Sequence, residues 1–81
     1  MSILDGLGIA NLPPTIRIGA ANHLAKLLLA DTPRSLRLAL ERARGFVEGV
    51  DLARALNRTT VDTLLVAIEH VAAGRSRELA V

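Results

Sequence analysis

The sequence predicts an all-α fold, a compact and dimeric bundle of three to four short helices behind an N-terminal arm. Three observations predict it. Apolar residues recur at helical spacing in separate stretches. The breaks between those stretches carry helix start and stop residues, Pro14, Thr32-Pro33, Asn57 and Gly74. Nothing along the chain reads as a strand. With 81 residues there is room for one domain, residues 1–81, and one modest core, because a chain this short buries only about 60 to 65% of the surface its unfolded form exposes.

Taken in order, Gly6, Gly8, Asn11 and Pro13-Pro14 make the opening segment poor helix material, so residues 1–13 read as an arm. Its Ile3, Leu4, Leu7, Ile9 and Leu12 are too many apolar residues for a solvated tail, and the arm is expected to lie on the domain or on a partner. Pro14 suits the first position of a helix, where a missing donor costs nothing. The first predicted helix runs over about 15–29, with Ile16, Ala20, Leu24, Leu27 and Leu28 at helical spacing. Asp31 or Thr32 can cap the next one, Pro33 opens it, and its seam is Leu36, Leu40, Ala43, Val47 and Val50. Gly45 and Gly49 each cost about 1 kcal/mol against Ala inside a helix, which favours an end near 48. Arg37 with Glu41, and Arg44 with Glu48, are i,i+4 pairs on the wet side of this helix.

A short helix over 52–57 follows, capped by Asp51 and closed by Asn57 in a left-handed conformation. Thr59 and Asp62 form a capping-box variant that opens the last helix, 60–73. Gly74 terminates it, and 75–81 form a frayed tail. In this last helix Val61, Leu64, Leu65, Ile68, Val71 and Ala72 make one broad stripe, while Val66, Ala67 and Ala73 carry apolar character around the rest. A helix apolar nearly all round is buried on most sides, and three short helices cannot easily enclose it. Dimerisation through Val61, Leu65, Val66, Ile68 and Ala72 is the expectation that follows. Composition agrees: 51% of the residues are hydrophobic and mean hydropathy is +0.38, and without Cys there is no disulfide to support a small core, leaving self-association as the support.

The longest apolar stretch, Leu24 to Ala30, is broken by Lys26 and falls short of the roughly 18 apolar residues of a membrane span. No membrane partner is expected. Met1 to Ile9 carries Asp5 and no basic residue, unlike a secretory signal, so the cytoplasm is the expected compartment. Ten basic and eight acidic residues give a formal charge of +2. The isoelectric point near 10.5 reflects that nine of the ten basic residues are Arg. Between Arg34 and Arg58 six Arg face three acids, an excess of three charges.

For catalysis the inventory is thin: two His, three Ser in capping or tail positions, no Cys, Tyr or Trp. His23 on the edge of the first helix's stripe reads as a boundary histidine bonded to a backbone carbonyl, and His70 directly after Glu69 cannot share a ligand with it. Asp5-Gly6-Leu7-Gly8 has glycines like half a phosphate loop, but lacks the preceding strand that such a loop needs. No cofactor, metal or enzymatic activity is expected.

The unit from Asp51 to Ala73, a short helix, a tight turn and a longer helix, has the outline of a helix-turn-helix. Leu52-Ala53-Arg54-Ala55-Leu56 resembles the first helix of that unit in bacterial regulators, over about a quarter of the chain. The resemblance implies a small DNA-binding transcriptional regulator. A recognition helix presents basic or amide side chains to the duplex, whereas 60–73 holds Asp62 and Glu69 and no basic residue, so any nucleic-acid contact falls to Arg34, Arg37, Arg42, Arg44, Arg54 and Arg58. The leading expectation is a homo-oligomeric protein-interaction module that regulates, inhibits or scaffolds a protein partner. Its partner-binding residues would be Arg34, Arg37, Leu38, Arg42, Arg54 and Arg58 with Ile9 and Leu12 of the arm. DNA binding is the alternative.

Overall fold

The computed structural model describes residues 12–80, which form three helices: α1 (Pro14–Leu29), α2 (Pro33–Leu52) and α3 (Arg58–Leu79). There is no strand among the described residues. The arm lies outside the described residues up to position 11, together with Ile9 and the Asp5–Gly8 stretch. Leu12, expected to serve a partner, is instead buried in the core cluster. No helix among the described residues is long and apolar enough to cross a membrane.

Local chemistry sets the helix starts. Pro14 and Pro33 each occupy the first turn of their helix, where the absent N–H is not missed. Ahead of α2, Thr32 Oγ1 accepts from the Ser35 N–H at 3.0 Å and Ser35 Oγ accepts from the Thr32 N–H at 3.1 Å, so two otherwise orphaned donors are satisfied reciprocally. α3 begins two residues earlier than expected, because Asn57 caps it: its Oδ1 accepts from the Thr60 N–H at 2.8 Å.

Helix ends depart further from the sequence expectation. α2 runs through Gly45 and Gly49 to Leu52, since the seam around them, Val47 and Val50, is buried and outweighs the roughly 1 kcal/mol each glycine costs. The expected short helix 52–57 does not form. Arg54 takes the left-handed conformation (φ 54°), its N–H donates to Asp51 O at 3.0 Å and that of Ala55 to Val50 O at 3.2 Å. This bond pair is a Schellman closure, and it turns the chain before Asn57. Asp51 accordingly lies inside α2 rather than capping a helix. α3 passes Gly74 and continues through the expected frayed tail to Leu79, held by Leu79 against the core and by Arg75 Nε donating to Ala30 O at 2.8 Å, which satisfies a carbonyl at the end of α1.

The helices run up, down and up. Phe46 of α2 packs beside Gly19 and His23 of α1, and Arg75 near the end of α3 meets the end of α1. Leu24, Leu27, Leu64 and Ile68 are the largest fully buried side chains, and each pair of helices is in contact. A radius of gyration of 12.3 Å matches the roughly 12 Å of a compact chain this long. The stripe of α3 is therefore enclosed by α1 and α2 of the same chain.

Candidate partner-binding surface

Apart from Arg54, the expected Arg residues fall on two surfaces, the outward side of α2 and the α2–α3 seam. On the outward side of α2 Arg34, Arg37, Leu38 and Glu41 surround a shallow depression of about 270 Å³, with the exposed Arg42 one turn beyond Leu38. Arg34, Arg37 and Arg42 make no ion pair among the described residues. The expected Arg37–Glu41 pair is not formed, and Leu38, 47% exposed, shares the depression with Arg34, Arg37 and Glu41.

Along the α2–α3 seam lie two further depressions, of about 450 and 250 Å³. The larger is lined by Leu36, Leu40 and Ala72 with Arg37 and Ser76 at its edge. The smaller is lined by Val47, Val61 and Leu65 between Glu48, Asp51, Arg58 and Asp62. Arg44 and Glu69 line both and bridge the seam, Arg44 Nη2 donating to Glu69 Oε1 at 3.0 Å. Arg44 thus takes a partner 25 residues away on α3 rather than the expected Glu48, which sequence spacing alone has no means to signal.

Arg58 is the most neutralised cation of the set. It donates to Asp51 Oδ2 at 2.9 Å and to Asp62 Oδ1 at 3.5 Å. The hydrogen bond and charge of Asp51, followed by those of Asp62, hold its guanidinium protonated still more firmly than usual. Arg54 stands in the turn after α2 while Arg34 stands in its first turn, about 30 Å away along a 20-residue helix. The structure therefore brings together Arg34, Arg37, Leu38 and Arg42 and separates Arg54 and Arg58 from them.

The residues expected to form an oligomer seam are divided too. Val61, Ile68 and Ala72 are buried in the chain's own core, Leu65 is half-buried, and only Val66 is open, at 68%. Instead the face that the sequence reading passed over is on α1, where Ile18 is 63% and Leu29 79% exposed. A signal for it existed, since the helical period places Ile18, Ala25 and Leu29 on the side of α1 away from Ala20, Leu24 and Leu27.

Near the α1–α2 contact, the His23 and Phe46 rings lie 5.0 Å apart, tilted by 38°. Burial, and secondarily the charge of Lys26, lower the His23 pKa below 6.5. Among the described residues no three His, Asp or Glu side chains converge in a way that could hold a metal ion. The fold and its surfaces define a three-helix bundle with one basic outward helix face. Compared with protein-family models, characterised proteins and solved structures, the chain matches none.

Proposed function

We propose that this chain is a small homo-oligomeric protein-interaction module that regulates, inhibits or scaffolds a protein partner by binding it. The face that engages the partner is Arg34, Arg37, Leu38 and Arg42 on the outward side of α2. One observation carries the reading: three Arg without ion-pair partners flank a half-exposed Leu on one helix face. Such a face suits an acidic surface with an apolar residue at its centre, because Arg offers a planar fork to carboxylates and a desolvated aliphatic anchor adds contact energy.

Nucleic acid is the weaker reading on the same residues. The charges available on this face are three Arg offset by Glu41, few against the six to ten phosphate contacts, roughly, of a strong duplex binder, while Arg44 and Arg58 are committed to acids. The short first helix of the helix-turn-helix outline is a turn.

A photoreactive residue in place of Leu38 tests the proposal, compared with the same residue in place of the exposed Thr63 on α3. The expected result is a cross-linked protein partner at position 38 alone, lost when Arg34, Arg37 and Arg42 are all changed to Glu. Equal labelling at 38 and 63, labelling unmoved by the charge reversal, or capture of nucleic acid in its place would overturn it.

A further inference from the structure

We propose that the outward face of α1 is the seam between two copies of this chain, packed antiparallel about a two-fold axis that passes between Asn22 and Ala25. This rests on the homo-oligomeric reading above and gives it a location.

α1 buries Ala20, Leu24 and Leu27 and turns Ile18, Asn22, Ala25 and Leu29 to the opposite side, all four exposed. Their spacing of four, three and four holds one straight stripe. No charged residue interrupts the stripe, and α1 contains no Asp or Glu at all, so the face offers no pattern by which a charged partner would be selected. It does offer one of size and polarity. Large apolar residues stand at both ends and two short side chains lie between them, which makes the stripe its own complement when a second copy is turned end for end. Ile18 then meets Leu29 of the other copy at each end. At the centre Asn22 lies over Ala25 of the other copy, and these short side chains let the two axes approach to about 9 Å. A two-fold interface requires this kind of self-complementarity, residue i on j and j on i.

Asn22 adds a reason for this register. The two copies of its amide flank the two-fold axis, offset by three residues or about 4.5 Å along the helix direction. An amide both donates and accepts, so each can satisfy the other. A single amide within an apolar seam favours one register over its neighbours, at a cost in strength. A slip of one turn toward the helix C-termini would set each Asn22 against Leu29 of the other copy, and a slip of one turn the other way would set Ile18 over Ala25 in place of Leu29.

Area sets the strength. A helix of 16 residues is about 24 Å long, and two such faces bury on the order of 1,000 Å² in total, at the small end for specific interfaces. The dimer is therefore one that forms and dissociates with concentration. The absence of Cys makes the register directly readable.

The test is sedimentation velocity from low micromolar to near-millimolar chain, on the wild type and on Ala25→Glu, a change to a good helix former at an exposed position whose fold is checked by circular dichroism. It is paired with mild oxidation of Ile18→Cys mixed with Leu29→Cys. The expected result is a wild-type dimer at high concentration, at least a tenfold weaker dimer for Ala25→Glu, and disulfide-linked heterodimers from the mixture in preference to either variant alone. A wild-type dimer without the preferred mixed cross-link, or one that Ala25→Glu leaves intact, would overturn this seam and leave the homo-oligomeric reading standing. A wild type that stays monomeric throughout would overturn both and leave the face to the chain's own N-terminal segment or to a different protein.

Discussion

At Gly19 any side chain would force the Phe46 ring to move. A Cβ there would lie 2.6 Å from Cε1 of Phe46, and that ring is held between helices against His23. Gly19→Ala should destabilise by about 1 to 3 kcal/mol through overpacking, whereas Gly45→Ala, with nothing within 4 Å of its new Cβ, should stabilise by about 0.5 to 1 kcal/mol. Urea unfolding of the two variants reads both signs. His23 makes the second residue-scale prediction. Its pKa is lowered in the folded chain by burial and by Lys26, so as pH falls the unfolded chain takes up the proton first. Its contribution to stability is complete above 6.5 and is lost as pH drops through the lowered folded value. The melting temperature should fall across that window, and less so for His23→Gln.

Among the elements, the close of α2 is where local strain is concentrated. Arg54 is the one non-glycine residue with positive φ among those described, in a place that suits glycine. The left-handed backbone costs a side chain of this kind roughly 1 to 2 kcal/mol. Arg54→Gly should therefore raise stability, by up to about 1 kcal/mol after the greater freedom of glycine in the unfolded chain is subtracted, as measured by denaturant midpoint. Any loss of partner binding in the same variant would show that Arg54, despite its distance from Arg34, contributes to the interaction. The ion pairs around it are exposed on both sides, so Arg58 shapes the turn electrostatically more than it stabilises the fold.

For the molecule as a whole, the issue is whether one chain encloses its own core. Ile68 is fully buried and Val66, two residues earlier on α3, is 68% exposed. Ile68→Ala should cost about 2 to 5 kcal/mol, a large part of the stability of so small a domain. Val66→Glu should change stability by less than about 0.5 kcal/mol and leave the solution mass unchanged. Thermal unfolding together with light scattering distinguishes these outcomes from a dimer seam on α3, where Val66→Glu would leave an unpaired charge at the interface.

The sequence by itself determined the all-α class, the starts of α1 and α2, and most of the inward stripes, because Pro14, Thr32-Pro33 and a 3.6-residue apolar period act through bonds and neighbours within one turn. Of the candidate surface, Arg34, Arg37, Leu38 and Arg42 were legible as one helix side for the same reason. Tertiary structure decided the rest. Gly45, Gly49 and Gly74 read as helix ends because their local cost is visible, while the compensating burial of Val47, Val50 and Leu79 comes from other helices. Arg44 finds Glu69 only once α2 and α3 are side by side. Both α1 and α3 carry apolar residues on more than one side, and the pattern along each cannot say which of them the other helices will enclose. That choice depends on three axes packing together, and it left α1, more than α3, with large apolar residues facing out, Ile18 and Leu29 at either end of one stripe.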